Sequence, residues 1–451
     1  SYVYTASNGL ADHSAQTVCC TKTGRLVITT MGQINFYDVQ KFSFIDPATE
    51  NTYPLSKYNG HAHQYFDKHH HLWLKMRQRL TCVNLTNEMF VHNIVDEFKA
   101  LGMNDKVEDL FVDSNNEVWL LTAKGLFHTE SNKYYLVQPK WNLQELDTYD
   151  NKYLLLFYDN GQLDALDLGT GEMVNSVKAY DAPKAEKYKQ TTIAHRVGKF
   201  YYQIRNGAVN GNSVGILLRF DIEKWKYDTI LETPYYLSNT VEHDSLLYVP
   251  SAYGYWTYDI PTGKLEHIEK LKMSTGGMLL TDINCMEFDR QGGLWVGTEK
   301  RGLLYARPFP APFKSYSWTD KRALDISNLL DRQPTPVTQY RGMTVNCVLR
   351  DSRGWDWVGT SVGLQLYQNK NNHLPQLFSR NEGLMNNVIH CIVEDQQHNI
   401  WVGTSYGVCY LMIENDRVRY VNRYNQWDGV PNESFVNGRS MILPDGEIVM
   451  Q

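Results

Sequence analysis

The phrase D-x5-W-[VL]-x-T occurs four times, and it restricts the possible folds more than any other feature of the chain. It reads Asp113…Trp119-Leu120-Leu121-Thr122, Asp289…Trp295-Val296-Gly297-Thr298, Asp351…Trp357-Val358-Gly359-Thr360 and Asp395…Trp401-Val402-Gly403-Thr404. In each copy the Trp stands six residues after the Asp and the Thr nine after it. A Gly-[LV] pair follows at Gly125-Leu126, Gly363-Leu364 and Gly407-Val408. A unit this short cannot close a hydrophobic core alone, so it must stack on copies of itself.

Each strong copy reads as a meander of short strands. An apolar strand such as Thr344-Val345-Asn346-Cys347-Val348-Leu349 comes first, then the turn Asp351-Ser352-Arg353-Gly354. A second strand carries Trp and Thr, a Gly turn follows, and a third strand ends in Leu or Tyr. Asp suits the turn because its carboxylate bonds the backbone that follows it, and Gly tolerates positive φ. The Asp, Trp, Gly and Thr of the repeat are therefore expected to be structural. Weaker copies fill the first half. Thr21 to Thr30 keeps the spacing with Thr for Asp and Val for Trp, and Asp67 with Trp73 runs on into Lys75-Met76-Arg77. Units start near 17, 63, 107, 143, 191, 241, 283, 345, 388 and 436, a period that fits four-stranded propeller blades.

Seven units end near Arg307, where Pro308-Phe309-Pro310-Ala311-Pro312 breaks the pattern ahead of a polar stretch to about 340. The expected fold is all-β, with a seven-bladed β-propeller over 1–310 and part of a second over 335–451. A flat β-solenoid is the alternative, although its rungs are usually shorter.

With 42% hydrophobic and 13% aromatic residues in 451, the chain has ample material for a β-rich core. Its net charge of −6 argues against a general nucleic-acid or anionic-membrane binder. No signal peptide opens it, the run Tyr153-Leu154-Leu155-Leu156-Phe157-Tyr158 is only strand-sized, and the chain stops inside a repeat. It therefore reads as a soluble, processed or truncated piece of a larger protein. Cys285, Cys347 and Cys391 each stand four residues before a motif Asp. Equivalent positions in separate repeats are too far apart to bridge, so they are expected to be small core residues.

The stretches Leu294-Trp295-Val296-Gly297-Thr298, 357–364 and 400–408 resemble the two-component-regulator propeller repeat of hybrid two-component sensors from gut Bacteroides. Asn8-Gly9-Leu10 resembles the start of that family. The segment Trp427-Asp428-Gly429-Val430-Pro431-Asn432-Glu433-Ser434-Phe435, with Pro444-Asp445-Gly446, is similar to its last blade. A last blade near 436 leaves about three blades for the second propeller, which departs from the family pattern. The resemblance implies two periplasmic propellers ahead of an immunoglobulin-like domain, a membrane helix, a histidine kinase and often a DNA-binding output. Such receptors sense glycan fragments and switch on polysaccharide-utilisation genes.

Several residue groups are candidates for ligand contact. Lys75, Arg77 and Arg79 alternate, so on one strand they would share a face and could hold an acidic glycan. The alternative is a solvated edge protected against aggregation. Tyr253, Tyr255 and Trp256 lie in a loop-like aromatic run, 251–258, suited to stacking on a pyranose. The competing reading packs them within a blade. Arg205 and Asn206 open a polar loop, 205–212, that could add hydrogen bonds. His61, His63 and His69 to His71 bracket one strand and read as polar loop rather than metal ligands. No catalytic constellation is recognisable, and the turn Asp351-Ser352-Arg353-Gly354-Trp355-Asp356-Trp357 resembles only the structural Asp box of sialidases. The expected function is periplasmic sensing of an oligosaccharide, with no cofactor and no metal. The expected partner is a second copy through the full receptor, with the membrane reached only through segments outside this chain. A propeller enzyme acting on a glycan and a protein-interaction scaffold are the alternatives.

Overall fold

A computed structural model describes residues 2–21, 24–30, 32–38, 41–48, 51–59, 62–178, 188–190, 194–273, 277–306, 313–369, 371 and 374–451. The fold is all-β, built mainly of four-stranded antiparallel sheets in chain order. Six begin at Thr17, His63, Asp109, Leu143, Tyr188 and Val241, the second and fifth each carrying one extra short strand. The seventh is made of Ile283–Phe288, Leu294–Thr298 and Leu303–Ala306, and its edge strand is Tyr2–Tyr4 from the opposite end of the stretch. Val3 lies opposite Leu304 there. This sheet also abuts the first: Ala15 N–H donates to Thr298 O at 3.1 Å, and Asn284 Nδ2 donates to Ala15 O at 3.2 Å. Two further four-stranded sheets start at Cys347 and Ile389, and two-stranded ribbons pair Leu271–Lys272 with Met278–Leu279, Gln339–Tyr340 with Met343–Thr344 and Ser440–Ile442 with Ile448–Met450. Helix α1 (Ile94–Ala100) packs on the second and third sheets, and α2 (Lys321–Asp331) precedes the 339–344 ribbon. Among the described residues no helix is long and apolar enough to cross a membrane. The proline-rich break at 308–312 lies outside the described residues.

Each letter of the repeat has a physical task. In the Asp351 copy, Oδ1 accepts from the backbone N–H of Arg353 at 2.9 Å and of Trp355 at 3.0 Å, which fixes the hairpin. Its Oδ2 accepts the indole N–H of Trp357 at 2.9 Å. That indole bond recurs from Trp73, Trp119, Trp295 and Trp401 to Asp67, Asp113, Asp289 and Asp395 at 2.8–3.1 Å. A buried indole needs a partner for its N–H, and the Asp six residues earlier supplies it. The spacing alone suggested the backbone bonds but not this one. In the weak first copy, Thr21 Oγ1 takes the place of the carboxylate and accepts from Arg25 N–H at 3.0 Å. The motif Thr closes the next turn, as Thr298, Thr360 and Thr404 donate to the carbonyls of Gly302, Gly363 and Gly407 at 2.7–2.9 Å.

The Gly inside the motif answers to the Cys of the neighbouring strand. Cys285, Cys347 and Cys391 are buried free thiols, each directly opposite Gly297, Gly359 or Gly403. A Cβ on Gly359 would lie 2.4 Å from Cys347 Sγ and 2.7 Å from Ile389 Cγ2. The small residue is thus required by packing, not by backbone conformation.

The sheet at 389–424 shares a core with the first and seventh sheets. Tyr410, Tyr420 and Tyr424 pack in one apolar cluster with Tyr37, Trp295 and Tyr305. Tyr420 Oη donates to Asp289 Oδ2 at 3.1 Å, and Asn422 Nδ2 donates to Tyr305 Oη at 2.9 Å, both buried. Arg25 adds a bond to the carbonyl of Arg419 at 3.1 Å.

Candidate ligand-binding site

A cleft of about 680 Å³ opens between α2, the sheet at 389–424 and the ribbon at 440–450. It begins with α2, whose apolar face (Ile326, Leu329, Leu330) packs on Met441, Leu443 and Val449 of the ribbon. Ion pairs Arg322–Glu447 at 2.7 Å and Arg439–Asp331 at 2.8 Å hold helix and ribbon together. Upstream, Ser317 N–H donates to Asp320 Oδ2 at 2.8 Å, and this turn sets the course of 313–318. Phe313 anchors that segment by packing edge-on against Trp401 and tilted against Tyr424, with ring centroids 6.2 and 4.9 Å apart.

The cleft wall is aromatic with a polar rim. Trp318 is 64% exposed and Tyr316 41%, and Trp401 and Phe435 lie deeper. Lys314, Gln397, Glu433, Ser434 and Glu447 also line it. The volume falls within the range that holds small ligands, and rings beside scattered polar groups suit a molecule with apolar faces and hydroxyl edges. Asp395 also lines the cleft, but its carboxylate is occupied by the Trp401 indole and by the Gln397 and Asn399 N–H groups. It is therefore not free for acid–base work.

None of the eight ligand residues expected from sequence lines this cleft. Lys75, Arg77 and Arg79 do not share a strand face, because Arg77 and Gln78 both adopt positive φ in a tight turn between His71–Met76 and Arg79–Asn84. That turn leaves Lys75 fully buried, while Arg77 and Arg79 are exposed. The stretch 205–212 is not a loop either, since Arg205 and Asn206 lie inside the long strand Phe200–Val209. Arg205 is fully buried and donates to the carbonyl of Tyr188 at 3.0–3.2 Å. Asn206 exchanges two bonds with the backbone of Leu237, at 2.8 and 2.9 Å. Both side chains stitch backbone to backbone. Of the aromatic run, Tyr255 and Trp256 belong to the strand Tyr255–Asp259, and Trp256 stacks on His267 at 4.3 Å. Tyr253 remains in a turn with φ 62° and is 45% exposed. Among the histidines, His63 is buried and His61 lies outside the described residues. His71 is held by Asp67, which with Glu97 raises its pKa above the ordinary value although burial works against that. The cleft itself left one trace in the sequence: Trp318 is a tryptophan outside the repeat, in the polar stretch that interrupts it.

Two other clusters bring reactive side-chain types together. Ser352 Oγ lies 3.0 Å from His398 Nδ1, and the same Nδ1 lies 2.8 Å from Glu394 Oε1. A catalytic triad needs opposite ring nitrogens for serine and acid, whereas here one nitrogen faces both. Asp113, Glu117 and His128 bring ligand-type atoms within 4.8 Å of one another. Asp113 is already satisfied by its hairpin and Trp119, and Glu117 by His128 at 2.7 Å and Lys68 at 3.2 Å.

Two stretches, 277–300 and 383–406, match the two-component regulator propeller family. Both matched stretches end on the Trp–Gly–Thr strand and its turn, the part in which Asp, Trp and Thr make the bonds described above. No curated protein matches the sequence. Among solved structures, the extracellular domain of the putative hybrid two-component system BT3049 from B. thetaiotaomicron is similar, with 14% identity and a TM-score of 0.46. The alignment covers 100% of this chain and 82% of that one. The extracellular domain of BT4673 from the same organism aligns with 14% identity and a TM-score of 0.48, covering 100% of this chain and 57% of that one.

Proposed function

We propose that this chain is the extracytoplasmic ligand-sensing region of a two-component sensor, and that its ligand is an oligosaccharide. The propeller repeats support the sensor reading. The observation that carries the ligand reading is the cleft beside α2, where exposed Trp318 and Tyr316 stand over polar side chains. Flat rings accept the C–H face of a pyranose while carboxylates, amides and hydroxyls take its rim. In this reading the seven sheets from Thr17 to Ala306 are seven blades of one propeller, which Tyr2–Tyr4 closes. Residues 335–451 then begin a second propeller. Binding signals through a difference in affinity between two arrangements of the receptor, most simply two ways for two copies to associate. The output is control of polysaccharide-utilisation genes by kinase and DNA-binding parts beyond this chain.

The test is a thermal-shift screen against neutral and acidic oligosaccharides, with chromatography of the sugar afterwards. The reading requires a saturable rise in Tm with the sugar recovered intact. Cleaved sugar would mean an enzyme, and no shift across the panel would leave a protein-binding scaffold as the better reading.

A further inference from the structure

The repeat register exposes a second polar site, in the second to fourth sheets. The residue four before the motif Asp lies directly opposite the residue eight after it. In later repeats this pair is Cys285–Gly297, Cys347–Gly359 and Cys391–Gly403. The same register gives His63–Lys75, Asp109–Leu121 and Glu145–Phe157 in three consecutive sheets. Charged and titratable groups have thus replaced small core residues at matching heights in neighbouring sheets. Lys75 Nζ lies 2.8 Å from Asp109 Oδ1, and the two side chains are 0% and 1% exposed. Its ammonium is ringed by Tyr58, Tyr65 and Phe111, with centroids at 4.6, 5.6 and 4.0 Å. Over this group runs the segment 55–59. Lys57 N–H donates to Glu108 O at 3.1 Å, and Asn59 O accepts from Gln144 Nε2 at 3.1 Å.

Burying an ion pair among rings is costly unless hydrogen bonds complete it. Here they are incomplete: among the described residues, Tyr58 Oη, Tyr65 Oη and Gln144 Oε1 have no hydrogen-bond partner, and these residues are 1%, 6% and 1% exposed. The Lys75 ammonium makes the Asp109 contact without good hydrogen-bond geometry. Unmet groups at such depth call for a partner from outside the chain. The charges decide its class. An anion would face Asp109 and Glu145, and a cation would face Lys75. A neutral molecule with several hydroxyls meets donors and acceptors together, and the Tyr58 and Tyr65 rings offer it apolar faces.

The geometry points to a second ligand site, beneath 55–59 and between Tyr58, Tyr65, Lys75 and Gln144, that takes one neutral polyhydroxylated unit such as a single sugar ring. Entry requires 55–59 to lift, and the bonds at Lys57 and Asn59 are those that must open. The site is separate from the α2 cleft, and it stands or falls without the sensing reading.

The test uses the whole chain and five neutral probes (glucose, galactose, mannose, xylose and glycerol), with glucuronate and glucosamine as charged comparators. Binding is followed by saturation-transfer NMR and calorimetry. At least one neutral probe is expected to bind, and Tyr58→Phe and Tyr65→Phe should each weaken it at least about tenfold. Trp318→Ala should leave it unchanged. Because each Phe variant removes an unmet hydroxyl, its ligand-free Tm should not fall, which separates lost binding from lost folding. The proposal is overturned if no neutral probe binds, if glucuronate or glucosamine binds better, or if the Phe variants bind as the parent does. Loss in Trp318→Ala alone would assign the sugar to the cleft and refute this site while leaving the sensing reading intact.

Discussion

Glu287 turns the contact between the seventh and first sheets into a measurable dependence on pH. It lies on the strand Ile283–Phe288, and its Oε1 accepts from Phe288 N–H at 3.0 Å. Burial pushes its carboxyl up from 4.5 to about 7, and backbone bonds from Phe288 and Cys20 only partly oppose that. The folded state therefore holds this proton more tightly than the unfolded chain. Below pH 4.5 both states are protonated and the group costs nothing. Between 4.5 and about 7 the unfolded chain ionises while the folded one does not, so stability falls as pH rises, and above 7 the full cost is present. At about 1.4 kcal/mol per pH unit across that window, the cost is at most about 3.5 kcal/mol. Glu287→Gln keeps the acceptor and removes the titration. Urea denaturation of parent and variant, followed by tryptophan fluorescence from pH 4.5 to 8, isolates the effect as a difference. The variant should gain on the parent steadily to pH 7 and stay ahead beyond it. A difference that does not vary with pH, or a less stable variant at pH 8, would refute the reasoning.

Three further substitutions probe the repeat and the shared core. Asp351→Ala strips partners from a buried indole and two backbone N–H groups. It should cost about 3–5 kcal/mol in chemical denaturation. Gly359→Ala places a methyl against Cys347 Sγ and Ile389, and should cost about 1–3 kcal/mol. Adding Cys347→Ala should recover part of that loss, and an additive double variant would contradict the packing account. Tyr420→Phe removes the bond to Asp289 and should lower stability by about 1–2 kcal/mol. No effect would show that the sheet at 389–424 is not coupled to the first and seventh sheets in solution.

The meander was readable because its determinants are local. Asp, Trp and Thr make their turn bonds within one hairpin, so their spacing placed the sheets that begin at His63, Asp109, Ile283, Cys347 and Ile389. Turns hidden inside apparent strands were harder to see. Arg77-Gln78 carries neither Gly nor Asn, yet both residues take positive φ, so Lys75 and Arg79 end on different strands. The aromatic run at 251–258 left loop and blade both open, and Tyr255 and Trp256 lie in a strand that pairs on both sides. The cleft could not be read from the sequence because its walls come from 313–330, 395–408 and 430–451, which only the fold brings together. The polar group around Lys75 was readable in principle. The departures at His63, Lys75, Asp109 and Glu145 appear once the repeats are aligned on their Asp, but the Tyr149 unit has lost both Asp and Trp and hides the register.

The most direct test of the account is calorimetric titration of the chain and of Trp318→Ala with the oligosaccharide that gives the largest thermal shift. Stacking on an exposed ring contributes about 0.5–1.5 kcal/mol, so the variant should bind about two- to tenfold more weakly, with its ligand-free Tm unchanged. Equal affinity in parent and variant would place the ligand elsewhere and contradict the assignment of the cleft.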